Sequence, residues 1–200
     1  FGASRIHPNE LAYFNVFAGG PGKGRFHLID SNLDWGQDLR PLGRWLERHP
    51  ERRTELRVAY AGSVPPELEG VFPYRLAPRD LRYVPPARRL PWERLEDPAT
   101  WGPQPGSFAV SVNYERGMFF RSHVPRGMAP GLRNATPGAL YPGTALLANP
   151  PMVYAYFQEL EPRIEPDVGY SILFYDVSFE DAGRVRARLG IPPLPDPKLS

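Results

Sequence analysis

Residues 26–61 read FHLIDSNLDWGQDLRPLGRWLERHPERRTELRVAYA, and this stretch decides the fold class. Phe26–Asp30 is short, apolar and strand-like, and it ends in a polar cluster. Leu39, Leu42, Trp45 and Leu46 then recur at helical spacing up to His49 and Pro50, which predicts a helix over Leu39–His49. Pro41 fits that helix if Asp38 is its cap and Pro41 lies in the first turn, where a missing N–H costs nothing. Leu56–Ala61 is a second strand closed by Gly62. Strand, helix and strand in this order form a βαβ-like unit, which favours a parallel pair and a right-handed crossover.

Working outward, Ser107–Val112 alternates well enough for a third strand, and Tyr170–Val177 is the clearest strand in the chain. Ser178 with Glu180 and Asp181 opens a helix over Phe179–Leu189 as a variant capping box. Arg184, Arg186 and Arg188 lie toward its end, where they suit the macrodipole, and Gly190 stops it. Pro151–Leu160 reads as a helix with proline in its first turn, and Pro66–Glu69 as a short one. Nearer the start, Asn9 caps a short aromatic helix over Leu11–Phe17 that Gly19 and Gly20 end. Residues 64–106 and 121–149 are Pro/Gly-rich excursions too long to be structureless in a compact domain. The expected fold is α/β: a small mixed or parallel sheet flanked by helices, with long Pro/Gly-rich loops. Residues 25–190 form one domain, residues 1–24 a helix and linker before it, and residues 191–200 a Pro-rich tail.

Composition agrees. Proline supplies 26 of the 200 residues, well over twice the usual share of about 5%. Hydrophobic residues at 42% and aromatics at 12% exclude a disordered polymer. The net charge of +2 comes from interspersed arginines and acids, so no basic face for nucleic acid stands out. Cysteine is absent, which excludes disulfides, thiolate metal sites and a cysteine nucleophile. No apolar run reaches the roughly 18 residues that span a bilayer. The chain opens on Phe1-Gly2-Ala3-Ser4 with neither Met nor a signal segment, and reads as a piece of something longer.

The densest polar cluster runs from Asp30 to Asp38. Asp30, Asn32, Asp34, Gln37 and Asp38 surround Trp35 just past the end of a predicted strand, where open α/β sheets bind ligands. Three carboxylates, two amides and an indole suit a saccharide, with a stacking ring beside planar hydrogen-bonding groups. The same residue types also serve as caps, turns and packing anchors, so a purely structural role stands beside the binding one. A calcium loop fits poorly: Trp35 replaces the required glycine and Pro41 the bidentate glutamate. Gly19–Gly24 precedes a strand and lacks phosphate-loop spacing. His7, His27, His49 and His123 are scattered beyond metal-pair spacing, and no Gly-x-Ser-x-Gly elbow occurs. No catalytic residue, metal or cofactor is expected.

Three blocks carry a resemblance. They are His7–Asn15 followed by Ala18–Pro21; Asp30–Leu39; and the pair Pro105–Ser111 and Val168–Val177. In that order they resemble the C-terminal region of bacterial multi-pass membrane glycosyltransferases of the protein O-mannosyltransferase type, which use polyprenyl-phosphate sugars. The resemblance implies an extracytoplasmic, periplasmic domain that follows the last membrane helix. It places Leu11, Tyr13, Phe14 and Phe17 at the membrane interface, where aromatics favour the headgroup boundary. It also implies that the catalytic acids and the lipid-linked donor belong to membrane helices this chain lacks, so the 200 residues alone transfer no sugar. Two functions follow. One is a non-catalytic accessory domain that orients a sugar or acceptor through Asp30, Asn32, Asp34, Trp35, Gln37 and Asp38, next to the membrane-embedded portion of the same protein. The other is a structural subunit docked on another membrane complex through its Pro/Arg-rich loops, with Trp92, Phe119, Phe120 and Tyr141 as contacts.

Overall fold

The structure is a computed structural model, and it describes residues 17, 19–27, 34–83, 92, 97, 99–116 and 151–195. Its centre is a three-stranded mixed sheet in the order β1 (Arg57–Ala59), β2 (Gly106–Ser111), β3 (Ile172–Val177). The first pair is parallel, in a register that sets Val58 beside Ala109. The second is antiparallel, from Gly106 opposite Val177 to Ser111 opposite Ile172. Single bridges extend both edges. Val58 N–H donates to the Arg75 carbonyl (2.7 Å) and Ala77 N–H to the Val58 carbonyl (3.1 Å). On the far side Arg163 and Phe174 exchange bonds of 2.7 and 2.9 Å.

Alternation along the strands splits the core into two layers. Ala109, Ile172 and Phe174 face one way, onto Leu39, Leu42, Trp45 and Leu46 of helix α1 (Leu39–Arg48). Phe108, Val110, Leu173, Tyr175 and Val177 face the other, onto the 3₁₀ segment Pro151–Glu159 and helix α3 (Phe179–Leu189). A sheet covered on both faces is the α/β arrangement the sequence predicts. The one-turn helix α2 (Val112–Glu115) leaves β2 with Ser111 as its cap.

The local chemistry explains these elements. In α1 the Leu42 N–H makes the first intrahelical bond, to the Asp38 carbonyl (2.9 Å), so Pro41 sits where no donor is needed. His49 closes the helix, with its ring stacked on Trp45 at 4.2 Å. Gly43 is buried against the 3₁₀ turn Pro66–Glu69, and a Cβ there would collide with the Glu69 carbonyl. Ser178 caps α3 by accepting from the Asp181 N–H (3.0 Å). Gly190 ends α3 at φ 65°, with bonds from Gly190 and Ile191 N–H back to Ala187 and Arg186. The helix expected over Pro151–Leu160 is present and winds as a 3₁₀ helix over Pro151–Glu159. Its buried Val153 and Tyr156, and Tyr154 and Phe157, are spaced by three, the period that aligns residues in a 3₁₀ turn.

The expected first strand is where the structure departs from the sequence reading. Phe26 ends a 3₁₀ helix, Pro21–Phe26, and His27 is a turn, so the proposed first strand does not begin there; Leu28–Asp30 lie outside the described residues. Among the described residues the parallel partner of β1 is β2, which follows it in the chain. Ile191 is buried in the core, with Leu194 packed against it. Arg186, near the end of α3, is wholly buried. It donates to the carbonyls of Trp101 (2.9 Å), Pro103 (2.9 Å) and Pro192 (2.6 Å), tying two proline-rich segments to α3. The short aromatic helix lies outside the described residues except for Phe17, which is fully exposed.

Candidate functional site

The loop 34–38 is fastened at one end of the sheet by two buried carboxylates. Asp34 accepts the Gly36 N–H (2.8 Å) in a local turn, and its other oxygen accepts the Ser111 hydroxyl at the end of β2. The Asn113 amide donates to the Asp34 carbonyl at 3.3 Å. Asp38 accepts both the N–H and the hydroxyl of Ser171, each at 2.8 Å, just before β3. Ser111 and Ile172 are register partners, so both carboxylates dock on neighbouring strands at the same end of the sheet. Asp38 holds the N-cap position of α1, but its side chain makes no capping bond, because Ser171 takes it instead. Glycines make room: Gly36 turns at φ 83° against the Tyr60 hydroxyl, and a Cβ on Gly169 would collide with the Asp38 carboxylate.

Burial governs the electrostatics. Desolvation pushes the Asp34 carboxyl up to about 6, opposed by the bonds from Ser111 and Gly36 and reinforced by the Asp38 charge. Asp38 is raised for the same reason, against the pull of Ser171. Tyr60 is raised by burial and by Asp34. On the solvent side, Trp35 keeps 70% of its surface exposed, and its backbone N–H donates to the Gln37 side-chain oxygen at 2.7 Å. Beside them a cleft of about 420 Å³ is walled by Gly36, Gln37, Arg40, Arg44, Val64 and Glu69. Arg40 grips Glu69 with two bonds, 2.7 and 3.3 Å, which hold the Glu69 carboxyl below its usual range.

The six residues of the predicted cluster therefore divide. Asp34 and Asp38 are brought together in the interior and are engaged there. Trp35 and Gln37 are brought together at the surface. Asp30 and Asn32 lie outside the described residues, as do Leu11, Tyr13 and Phe14 of the expected membrane-facing set. Sequence reasoning missed Ser111, Asn113 and Ser171, which anchor the loop, and Arg40, Arg44 and Glu69, which wall the cleft. The serines carried one signal: each is a small hydroxyl directly beside an apolar run, Phe108–Val110 or Ile172–Phe174, a position where a buried polar group needs a partner. Among the described residues no group of three His, Asp or Glu side chains is placed to hold a metal ion, and no helix is long and apolar enough to cross a membrane. Compared with known proteins, the chain matches no family model, no curated protein and no solved structure.

Proposed function

We propose that this chain is a non-catalytic extracytoplasmic accessory domain of a membrane glycosyltransferase-like protein, and that it orients a saccharide or acceptor across Trp35, Gln37 and the adjoining cleft. The observation that carries this reading is an exposed indole on a loop bolted to the sheet through Asp34 and Asp38. A surface tryptophan left 70% exposed on a rigid loop is a ready stacking platform. The non-catalytic assignment draws support from the same pair of acids, since both are engaged by Ser111, Gly36 and Ser171 rather than presented to a glycosidic bond. Trp35→Ala is expected to abolish binding of a neutral oligosaccharide in titration while leaving the melting temperature unchanged. Undiminished binding by that variant would overturn the reading.

A second reading, a subunit docked on a membrane complex, draws on Val64, Leu68, Phe72 and Leu76, which are all exposed along one stretch. Phe119, Phe120 and Tyr141 lie outside the described residues. Copurification of the chain with a stoichiometric membrane complex, lost on Leu68→Glu, favours it.

A further inference from the structure

A second cleft, also of about 420 Å³, lies at the β1 edge of the sheet and shares no wall with the one beside Trp35. It is built where Arg57 begins β1, where Gln104 precedes β2, and where Tyr74–Arg79 runs alongside through the Val58–Leu76 bridge. Its charge is one-sided: Arg57, Arg75 and Arg79 line it, and no carboxylate does among the described residues. Arg57 is held by neutral groups, donating to the Gln104 oxygen (2.8 Å) with its guanidinium 6.0 Å from the Phe108 ring centre. Its charge is positioned without being cancelled. Arg75 is exposed and makes no ion pair among the described residues. Arg79 is buried, and desolvation disfavours its charged form.

The rest of the wall is preformed. The Gln104 amide donates to the Ala99 carbonyl (2.6 Å) and the Thr100 hydroxyl to the Asp97 carbonyl (2.8 Å). Asp97 itself accepts from the Ala99 N–H (3.0 Å). Tyr74 and Trp92 add two aromatic side chains, and burial keeps Tyr74 a neutral donor, its pKa pushed up to about 12. Guanidinium forks match carboxylate and phosphate oxygens, while a volume at the small end of ligand sites admits a single ring.

We propose that this cleft binds a small hydroxylated oxyanion, one ring in size and bearing a carboxylate or a phosphate, between Arg57 and Arg75 with its ring against Tyr74 and Trp92. The test is calorimetric titration of the full chain with glucuronate, glucose 6-phosphate, inorganic phosphate and glucose. One or both sugar acids bind more tightly than glucose and inorganic phosphate, and which one binds identifies the source of the oxyanion. Their affinity falls as salt is raised, and Arg75→Gln weakens it by about tenfold, the loss of one charge-assisted contact. Arg57→Gln supplies a second variant should the first prove unstable. Gly183→Ala, a change on α3 that meets open space and touches neither cleft, leaves this binding unchanged. Glucose binding as tightly as either acid, inorganic phosphate binding as tightly as the sugar phosphate, or wild-type affinity in both arginine variants would each overturn the proposal.

Discussion

Asp34 shows how much a single side chain can impose. Its carboxyl titrates near 6 in the folded chain against an ordinary 3.8, so between those values the folded state holds the extra proton. Stability therefore rises as pH falls from about 6 toward 3.8, and that gain is complete below the lower value. Asp38 and Glu115, both raised by burial, act in the same direction. Asp34→Asn removes the buried charge and keeps a carbonyl to accept the Gly36 N–H. It is expected to flatten this part of the stability–pH curve, measured by urea unfolding across the window. Asp34→Ala instead strips Ser111 and Gly36 of their partner and costs about 2 kcal/mol at neutral pH. Arg186 is the other residue with a disproportionate hold. Arg186→Met leaves the carbonyls of Trp101, Pro103 and Pro192 without their donor. A loss of about 3 kcal/mol is expected in the same unfolding assay, since breaking a buried charged network is among the costlier single changes.

At the scale of the element, α1 is where close packing is tightest. Gly43→Ala sets a methyl group against the Glu69 carbonyl, and we expect a drop of about 1–3 kcal/mol in thermal unfolding, the range for overpacking. The same substitution at Gly183 meets open space and is expected to be neutral or slightly stabilising, a control within α3. Elements whose signals are local were legible in the sequence: α1 from its apolar spacing, α3 from Ser178 and Gly190, and β2 and β3 from runs of apolar residues. What escaped was set by contacts distant in the chain. His27 and Phe26 look like strand residues, yet Phe26 ends a 3₁₀ helix and the His27 N–H turns back to the Gly24 carbonyl (2.9 Å). Arg186 reads as a helix-end charge that suits the macrodipole, while its bonds to the carbonyls of Trp101, Pro103 and Pro192 join segments the sequence does not show to be neighbours. Within the candidate site, the cluster 34–38 was visible as a polar concentration. The sorting of its carboxylates inward and its indole outward depends on Ser111 and Ser171, far along the chain.

For the whole molecule, the two core layers share one thin sheet, and β1 contributes only three residues to it. Neither layer keeps its backing if the sheet opens, so unfolding is expected to be a single cooperative transition, with coincident curves from far-ultraviolet dichroism and tryptophan fluorescence. Separate midpoints would show that the α1 layer and the α3 layer melt independently. The irregular connections are fastened through backbone carbonyls: Pro78 by the Tyr156 hydroxyl (2.6 Å), and Trp101, Pro103 and Pro192 by Arg186. A chain so rich in proline leaves many carbonyls without helix or strand partners, and long side chains reach out from the regular elements to meet them.

The attachment of Asp38 to Ser171 has a mechanical meaning. Asp38 belongs by position to α1 and by its carboxylate to the start of β3, while Asp34 ties the other end of the same loop to β2. Tension applied at Trp35 is divided between two strands that are themselves paired antiparallel along their whole length. The loop comes free only when both anchors have been broken, so a load carried by anything resting on the indole passes into the centre of the sheet.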